Sequence, residues 1–306
     1  MHDAISASAG DTALLLSSGD HTIAFKHGGR ERSAVAHVPP GAANRRLPVV
    51  LNFHGGGGNG ANQREYSLMD VLADREQFIV VYPNGTGRFT NRLLTWNAGT
   101  CCGYAAINQV DDVGFMRALI ARLAERIPID RRRVYATGLS NGGMMSHRLA
   151  AEAADLFAAI APVAGGMVCP AIKASRAVPV MHIHSVDDPR ALYRGGLGPP
   201  FPLTKSRVFH PDIDEMIARW VKHDGCAPEP TITDRRADPD GRGHTATRYV
   251  YAGCRDGAEV VLWKLTGAGH VWPGGKQEFL DRLLGPSTDI VDANLEMWNF
   301  FKRFSL

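Results

Sequence analysis

Short apolar runs recur along the chain and alternate with longer amphipathic segments. A continuous apolar run of about four to eight residues is typical of a strand that is buried on both faces. Two N-terminal segments, residues 21–27 and 32–38, alternate in character instead and predict an antiparallel edge pair. The continuous runs predict buried strands at residues 49–53, 78–82, 133–137, 158–163, 178–184 and 260–265.

The segments between these strands carry a helical period. Residues 112–126 place their apolar side chains on one face, and Asp111 is positioned to cap the first turn. Further helices are predicted at residues 141–154 and 213–223, and a last helix begins at the cap candidate Ser287. Strands that alternate with helices of this length predict an α/β fold, in which a mostly parallel sheet carries helices on both faces.

No internal repeat or low-complexity linker divides this pattern. The sequence therefore predicts one domain over residues 21–306, preceded by a flexible leader of residues 1–20. That segment has no basic n-region, so it lacks the pattern of a signal peptide. The alternative to a flexible leader is the start of a mature chain whose signal has been removed. No run approaches the roughly eighteen apolar residues of a membrane span, and no membrane segment is expected.

Composition excludes several classes of partner. The chain has 306 residues, of which 44% are hydrophobic and 21% charged, with a formal net charge of +3. No basic stripe interleaves with aromatic residues, so nucleic-acid binding is not expected. The cysteine and histidine spacings match no zinc pattern, and no metal or cofactor is expected.

The odd number of cysteines leaves at least one of them unpaired. Cys226 and Cys254 flank a polar excursion at residues 227–246, and a bridge between them would tie its base to the following strand. Buried free thiols are the alternative. If bridges form, the protein works in an oxidising compartment. The five cysteines are Cys101, Cys102, Cys169, Cys226 and Cys254.

A Gly-x-Ser-x-Gly motif at residues 138–142 follows the predicted strand 133–137 and opens a predicted helix. This strand–turn–helix context is the one that a nucleophile elbow requires. Glycine is needed at both flanks because backbone segments approach closely at the sharp turn. The motif therefore predicts Ser140 as a nucleophile with an exposed hydroxyl.

A glycine-rich loop at residues 54–60 ends the strand 49–53. An acyl-transfer enzyme needs two N–H donors aimed at the developing oxyanion. Asn141, the residue after the nucleophile, is predicted to supply one donor, and Gly56 the other. A phosphate cradle is the rival interpretation, but no Gly-Lys-Ser/Thr follows and no Gly-x-Gly-x-x-Gly opens a helix.

His270 lies on a glycine-flanked loop after the strand 260–265, where it could act as the general base. The strand 178–184 runs into Asp187 and Asp188, and either carboxylate could orient the imidazole. The order serine, acid, histidine along the chain is that of the α/β-hydrolase fold. The residues predict a Ser–Asp–His triad whose acid remains open between the two aspartates.

Taken together, these motifs resemble the polyhydroxybutyrate depolymerase-like esterases, which are similar to the feruloyl and acetylxylan esterases of the same fold. The resemblance runs from about residue 21 to the C-terminus. It implies an α/β-hydrolase fold and carboxylic ester hydrolysis. It rests on residues 53–57 (Phe-His-Gly-Gly-Gly), 96–97 (Trp-Asn), 101–103 (Cys-Cys-Gly), 110–115 (Val-Asp-Asp-Val-Gly-Phe), 138–143, 184–189, 225–226 (Gly-Cys) and 269–274 (Gly-His-Val-Trp-Pro-Gly).

The resemblance also implies roles for particular residues. The family pattern His-Gly-Thr-x-Asp-Pro favours Asp188 as the acid, although the altered neighbours here keep Asp187 in question. Trp96 and Trp272 would line the acyl or polymer site, with plain packing as the alternative. Members are typically secreted or periplasmic. Cysteine pairing in the family implies a bridge from Cys226 to Cys254, and one from Cys169 to either Cys101 or Cys102.

The resemblance and the residues together predict a serine esterase that acts on polyhydroxybutyrate-type oligomers or related hydroxyacyl esters. Feruloyl or acetylxylan ester hydrolysis is the alternative, because the specificity loops at residues 88–106 and 190–211 do not reveal the acyl group. The second loop is expected to be ordered over the catalytic face. A peptidase or perhydrolase would keep the fold. Small peptidases of this fold generally need an extra domain or a charged anchor for a chain terminus, and neither is recognisable in this sequence. A non-catalytic relative would lack a triad member or the glycine loop.

Overall fold

The computed structural model describes residues 17–42, 45–201, 206–239, 241–276 and 281–306. Residues 1–16 of the predicted leader lie outside this part, and the first strand begins at Gly19. The strands are β1 Gly19–His27, β2 Arg30–Val38, β3 Leu47–Phe53, β4 Ile79–Pro83, β5 Ile129–Leu139, β6 Ala159–Val163, β7 Val180–Ser185, β8 Arg194–Leu197, β9 Phe209–Asp212, β10 Thr231–Ala237, β11 Thr245–Tyr251 and β12 Val260–Thr266. The helices are α1 Gly60–Ser67, α2 Met69–Glu76, α3 Gly103–Ile107, α4 Asp112–Arg126, α5 Asn141–Glu152, α6 Ile213–Asp224, α7 Asp281–Leu284 and α8 Ala293–Phe301.

A central sheet of ten strands has the order β1-β2-β4-β3-β5-β6-β7-β12-β11-β10. Strands β4, β3, β5, β6, β7 and β12 run parallel, and antiparallel strands extend the sheet at both ends. Every residue of β3, β4, β6 and β7 is buried, because a parallel strand is covered on both faces. The predicted mostly parallel α/β fold is confirmed. No helix within the described ranges is long and apolar enough to cross a membrane.

Several features differ from the sequence-based expectation, among them strand β11 and helix α3, which were not predicted. Strand β10 lies inside the polar excursion at residues 227–246. Because it lies at the edge of the sheet with mostly exposed side chains, its sequence has no apolar pattern. Helices α1 and α2 are short and polar, and they were not predicted. The last helix begins at Ala293 with Asp292 as its cap rather than at Ser287, because residues 284–288 pair with the loop that carries His270.

A buried ion pair joins β2 to α4. Arg32 Nη2 donates to Asp112 Oδ1 at 2.7 Å, and both side chains are almost wholly buried. The other carboxylate oxygen of Asp112 accepts from the backbone N–H of Asn97. Asp111 caps α4 as predicted and accepts from the N–H of Gly114. Asp112 is instead buried and pairs with Arg32.

Replacing Arg32 with methionine is expected to lower the free energy of unfolding by about 3 kcal/mol, because it strands the Asp112 carboxylate in the core. Urea denaturation followed by circular dichroism measures this difference. The matched control is Arg122→Met, which breaks an exposed pair with Glu125 and should cost less than about 0.5 kcal/mol. Equal losses in the two variants would contradict the assignment.

Candidate active site

Ser140 stands at a sharp turn between β5 and α5. Its φ of 57° lies in the left-handed region, which is strained for a residue with a side chain. A β-carbon on Gly138 or Gly142 would clash with the carbonyl oxygen of Phe53, and one on Gly165 would clash with the carbonyl of Ser140 itself. The turn therefore requires glycine around the serine, as the nucleophile elbow does.

The glycine-rich loop after β3 lies against this turn. A β-carbon built on Gly55 would lie 3.6 Å from Ser140 Cβ, and one on Gly56 would lie 3.7 Å from Asn141 Cβ. Within the described part of the chain, the N–H of Gly56 makes no hydrogen bond, while the N–H of Gly57 is taken by the carbonyl of Leu94. Asn141 is the first residue of α5, where backbone N–H groups lack helical partners. The two predicted donors are thus adjacent to the serine.

His54 holds the glycine loop in place. Its Nε2 accepts from the N–H of Gly85 at 3.0 Å, and its Nδ1 lies 2.8 Å from the carbonyl oxygen of Gly55. These partners require a neutral ring protonated at Nδ1. Burial lowers the pKa of His54 to about 4, so the ring is neutral at neutral pH. No pattern in the sequence singles out this histidine as a support for the loop.

Both predicted substrate-lining tryptophans are fully buried in the core. Trp96 donates its indole N–H to the carbonyl of His54, and Trp272 donates its own to Asn294 Oδ1. The side chain of Asn141 accepts from the backbone N–H of Trp96 at 2.7 Å and donates to its carbonyl at 3.1 Å. Both indoles are thus hydrogen-bonded within the core, and Trp96 braces Asn141 through its backbone.

The structure pairs His270 with Asp188. His270 Nδ1 lies 2.7 Å from Asp188 Oδ2, and the N–H groups of Arg190 and Ala191 both donate to Oδ1. Burial acts to raise the pKa of Asp188. The positive charge of His270 and the hydrogen bonds from His184 and His270 outweigh it, and hold that pKa well below its usual range.

Asp187 has a different place. Its side chain is exposed, and its Oδ2 accepts from the N–H of Gly267 at the start of the loop that carries His270. That loop is fixed further by the N–H of His270, which donates to the carbonyl of Leu284 at 2.6 Å. Ser140, Asp188 and His270 follow the carboxyl ends of β5, β7 and β12, which lie along one edge of the sheet.

The predicted loop at residues 190–211 is described at residues 190–201 and 206–211, where it contributes to the two-stranded sheet of β8 and β9, and its residues 202–205 lie outside the described part. A β-carbon on Gly56 would lie 3.4 Å from the ring of Phe201. His210 on β9 is 7% exposed, and its Nδ1 is buried with no hydrogen-bond partner in the described structure. Burial, with a smaller contribution from the charge of His270, lowers the pKa of His210 to about 4. Sequence reasoning did not single out this group.

The cysteines follow the expected pairing only in part. Cys226 and Cys254 form a disulfide. Cys169 is a buried free thiol, so the expected bridge from it to Cys101 or Cys102 is not observed. Burial raises the pKa of the Cys169 thiol to about 11, and Cys102 packs against Met144.

One group among the described residues has the spacing of a metal site. Asp20, His37 and Asp70 place one ligand atom each within 4.8 Å of one another. Arg64 forms ion pairs with both carboxylates, and His37 bonds to Asp20 at 2.8 Å. These contacts satisfy the two carboxylates as a surface ion-pair network, so the group needs no cation to balance it.

Acidification is expected to destabilise the fold well above the range where carboxylates titrate. Four buried histidines have lowered pKa values: the pKa is about 4 for His54, about 3 for His147 and about 4 for His210, and that of His182 lies well below its ordinary value. The unfolded chain takes up their protons below about pH 6.5, whereas the folded chain does not, so stability is complete above that pH and falls below it. Each histidine contributes about 1.4 kcal/mol per pH unit.

Urea denaturation between pH 7 and pH 5 measures this slope. His54→Gln should reduce it by about one proton, because glutamine has no proton to gain. A free energy of unfolding that stays constant from pH 6.5 to pH 5 would contradict the burial of neutral histidines.

The sequence matches the family described as "Esterase PHB depolymerase" over residues 32–223, which is more than half of the chain. Feruloyl esterase B from Piromyces equi is 26% identical over 90% of this chain and 46% of its own length. Poly(3-hydroxyalkanoate) depolymerase C from Paucimonas lemoignei is 28% identical over 78% of this chain and 58% of its own length. The chain thus spans about half the length of these two relatives.

The fold is also that of a solved esterase. The crystal structure of a thermostable esterase superposes with a TM-score of 0.57 and 15% sequence identity, over 94% of this chain and 63% of that one. A likeness at this identity shows the α/β-hydrolase architecture alone, because one fold hosts many chemistries.

Proposed function

We propose that this chain, which belongs to the PHB depolymerase family of esterases, hydrolyses carboxylic esters with Ser140 as its nucleophile. The proposal is supported by a strained serine turn and a buried Asp188–His270 pair, both of which follow the carboxyl ends of parallel strands in one sheet. Matches to a feruloyl esterase and a polyhydroxyalkanoate depolymerase support ester chemistry.

The reaction follows from these groups. His270 Nε2 takes the proton of Ser140 while Oγ attacks the ester carbonyl, and the oxyanion accepts from the N–H groups of Gly56 and Asn141. His270 then gives its proton to the departing alcohol, which leaves an acyl-enzyme. Water, deprotonated by His270, attacks the acyl carbon, and the acid leaves as Ser140 regains its proton. Asp188 keeps Nδ1 of His270 protonated throughout.

For the substrate, we propose hydroxyacyl esters of the 3-hydroxybutyrate type, with aryl esters such as ferulates as the second candidate. His210 supports the first, because a neutral buried imidazole with a free Nδ1 suits the hydroxyl of a hydroxyacyl group. His210 interacts electrostatically with His270 and Asp188, so it lies near that pair. The ring of Phe201 beside Gly56 favours the aryl alternative.

A competition assay distinguishes the two substrates. Purified protein receives 3-hydroxybutyrate oligomers and methyl ferulate at equal concentration, and products are separated by chromatography. Faster release of 3-hydroxybutyrate is expected. Faster release of ferulate would transfer the assignment to the aryl esters.

Replacing His210 with phenylalanine is expected to raise the KM for a 3-hydroxybutyrate dimer by about fivefold to tenfold, as the loss of one hydrogen bond would. The variant keeps an aromatic ring in the same space, so the KM for methyl ferulate should change by less than twofold. Parallel steady-state kinetics on both esters measure the split. An equal rise for both substrates would exclude a hydrogen bond that selects the hydroxyl.

We also propose that the protein works outside the reducing cytosol, in a secreted or periplasmic setting. The disulfide between Cys226 and Cys254 supports this, since such bonds persist in oxidising compartments. Thiol titration of freshly isolated protein under denaturing conditions tests it. Recovery of both cysteines as free thiols would oppose the proposal.

A further inference from the structure

A row of buried histidines leads from the helix after Ser140 to the carboxylate beside His270. His147 lies on α5, and His182 and His184 point to the same side of β7. All three are at most 1% exposed. The mechanism above uses none of them.

Hydrogen bonds connect the row from end to end. Trp220 Nε1 donates to His147 Nδ1 at 3.2 Å, and His147 Nε2 lies 3.3 Å from His182 Nδ1. His182 Nε2 lies 3.0 Å from His184 Nδ1. His184 Nε2 then reaches the carbonyl oxygen of Ala191 at 2.8 Å and Asp188 Oδ2 at 3.4 Å.

The two ends of this row fix the proton positions between them. An indole N–H can only donate, and a carbonyl or carboxylate oxygen can only accept. A neutral imidazole has one donor and one acceptor, so His147, His182 and His184 must each carry the proton on Nε2. Burial lowers the pKa of His147 to about 3 and holds that of His182 well below its ordinary value, which keeps both rings neutral.

We propose that His147, His182 and His184 form a polarised hydrogen-bond relay that positions the carboxylate of Asp188 for His270. Every N–H in the relay points toward the turn that holds Asp188, and aligned hydrogen bonds strengthen one another. The relay ends on the carbonyl oxygen of Ala191, whose own N–H donates to Asp188 Oδ1, and it places His184 Nε2 3.4 Å from Oδ2. The three histidines are positioning residues, and this role rests on the function proposed above.

Other charged and titratable groups face the relay and bear on its pH response. Arg219 on α6 acts on His147, and His210 on β9 interacts with His184. Tyr193 packs edge-on against His184, with 5.6 Å between the ring centroids. Lys264 of β12 lies over the tyrosine ring, and the tyrosine hydroxyl donates a hydrogen bond to Asp214. Asp188 and His270 lie at the end of the relay.

Histidine tautomers give a test that needs no enzymatic activity. Long-range ¹H–¹⁵N correlation spectra of ¹⁵N-histidine-labelled protein at pH 7 should show a bare Nδ1 and a protonated Nε2 for all three rings. The Trp220→Phe variant removes the terminal donor and should release His147 from this tautomer. A protonated Nδ1 on any of the three rings in the wild type would overturn the relay, whatever the fate of the proposed ester hydrolysis.

Kinetics then separate a positioning role from a structural one. His182→Phe should lower kcat about tenfold with KM changed less than twofold. It should also move the acid limb of kcat/KM to higher pH, because an Asp188 carboxylate that is held less firmly by the Ala191 N–H raises the proton affinity of His270. His182→Gln can accept and donate at similar reach, and should return both quantities toward wild type. If the limb stays in place in the phenylalanine variant, or glutamine behaves as phenylalanine does, the relay is excluded.

Discussion

Replacing Ser140 with alanine is expected to lower ester turnover by at least about ten-thousandfold. In the proposed mechanism the serine oxygen forms the covalent bond to the acyl group, and alanine has no oxygen to form it. The fold should survive, because the Ser140 side chain makes no capping hydrogen bond to α5. Steady-state kinetics on a 3-hydroxybutyrate dimer, with circular dichroism to check folding, measure both parts.

Ser146→Ala is the matched control for this variant. Ser146 is a buried serine on α5, the helix that follows Ser140. Its hydroxyl donates to the carbonyl of Gly142. Turnover in this control should stay within about threefold of wild type. A folded Ser140→Ala protein with turnover close to that of Ser146→Ala would remove Ser140 from the mechanism.

Replacing Asp188 with asparagine is expected to lower kcat by about ten-thousandfold. A carboxylate accepts from Nδ1–H of His270, which leaves Nε2 free to take the proton of Ser140. An amide can instead donate to Nδ1 and favour the opposite tautomer. The effect should appear in kcat more than in KM, since Asp188 is buried and contacts His270 rather than solvent.

Asp187→Asn is the comparison that the sequence itself suggests. Its side-chain oxygen still accepts from Gly267 N–H, so activity should fall by no more than a few-fold. The reverse ranking of the two asparagine variants would make Asp187 the acid.

Much of the fold could be predicted from apolar runs and glycines. Strands β4 and β6 are buried throughout, and each appears in the sequence as an uninterrupted apolar segment. Strands β3 and β7 are equally buried, but Asn52 interrupts the first, and His182 and His184 interrupt the second. The glycines flanking Ser140 are explained by the Phe53 carbonyl that would meet a β-carbon there. By contrast, β10 lies at the sheet edge with mostly exposed side chains, and no pattern distinguishes it from a loop.

The support of the candidate site could not be predicted in the same way. His147 and His182 are 35 positions apart and meet only when α5 packs beside β7. His54 and Trp96 likewise act through contacts with the backbone of distant segments. Asp187 and Asp188 differ only in which side of a turn they occupy. Such relations depend on three-dimensional packing, whereas local periodicity depends on neighbours along the chain.

Covalent labelling is the direct test of whether Ser140 is an activated nucleophile. Wild-type protein is treated with a fluorophosphonate, and the modified peptide is identified by mass spectrometry while ester turnover is followed. If Ser140 is the nucleophile, we expect a single adduct on Ser140, loss of turnover in proportion to labelling, and no adduct in Ser140→Ala. Full ester turnover in protein labelled at Ser140, or turnover lost through an adduct on another residue, would contradict it.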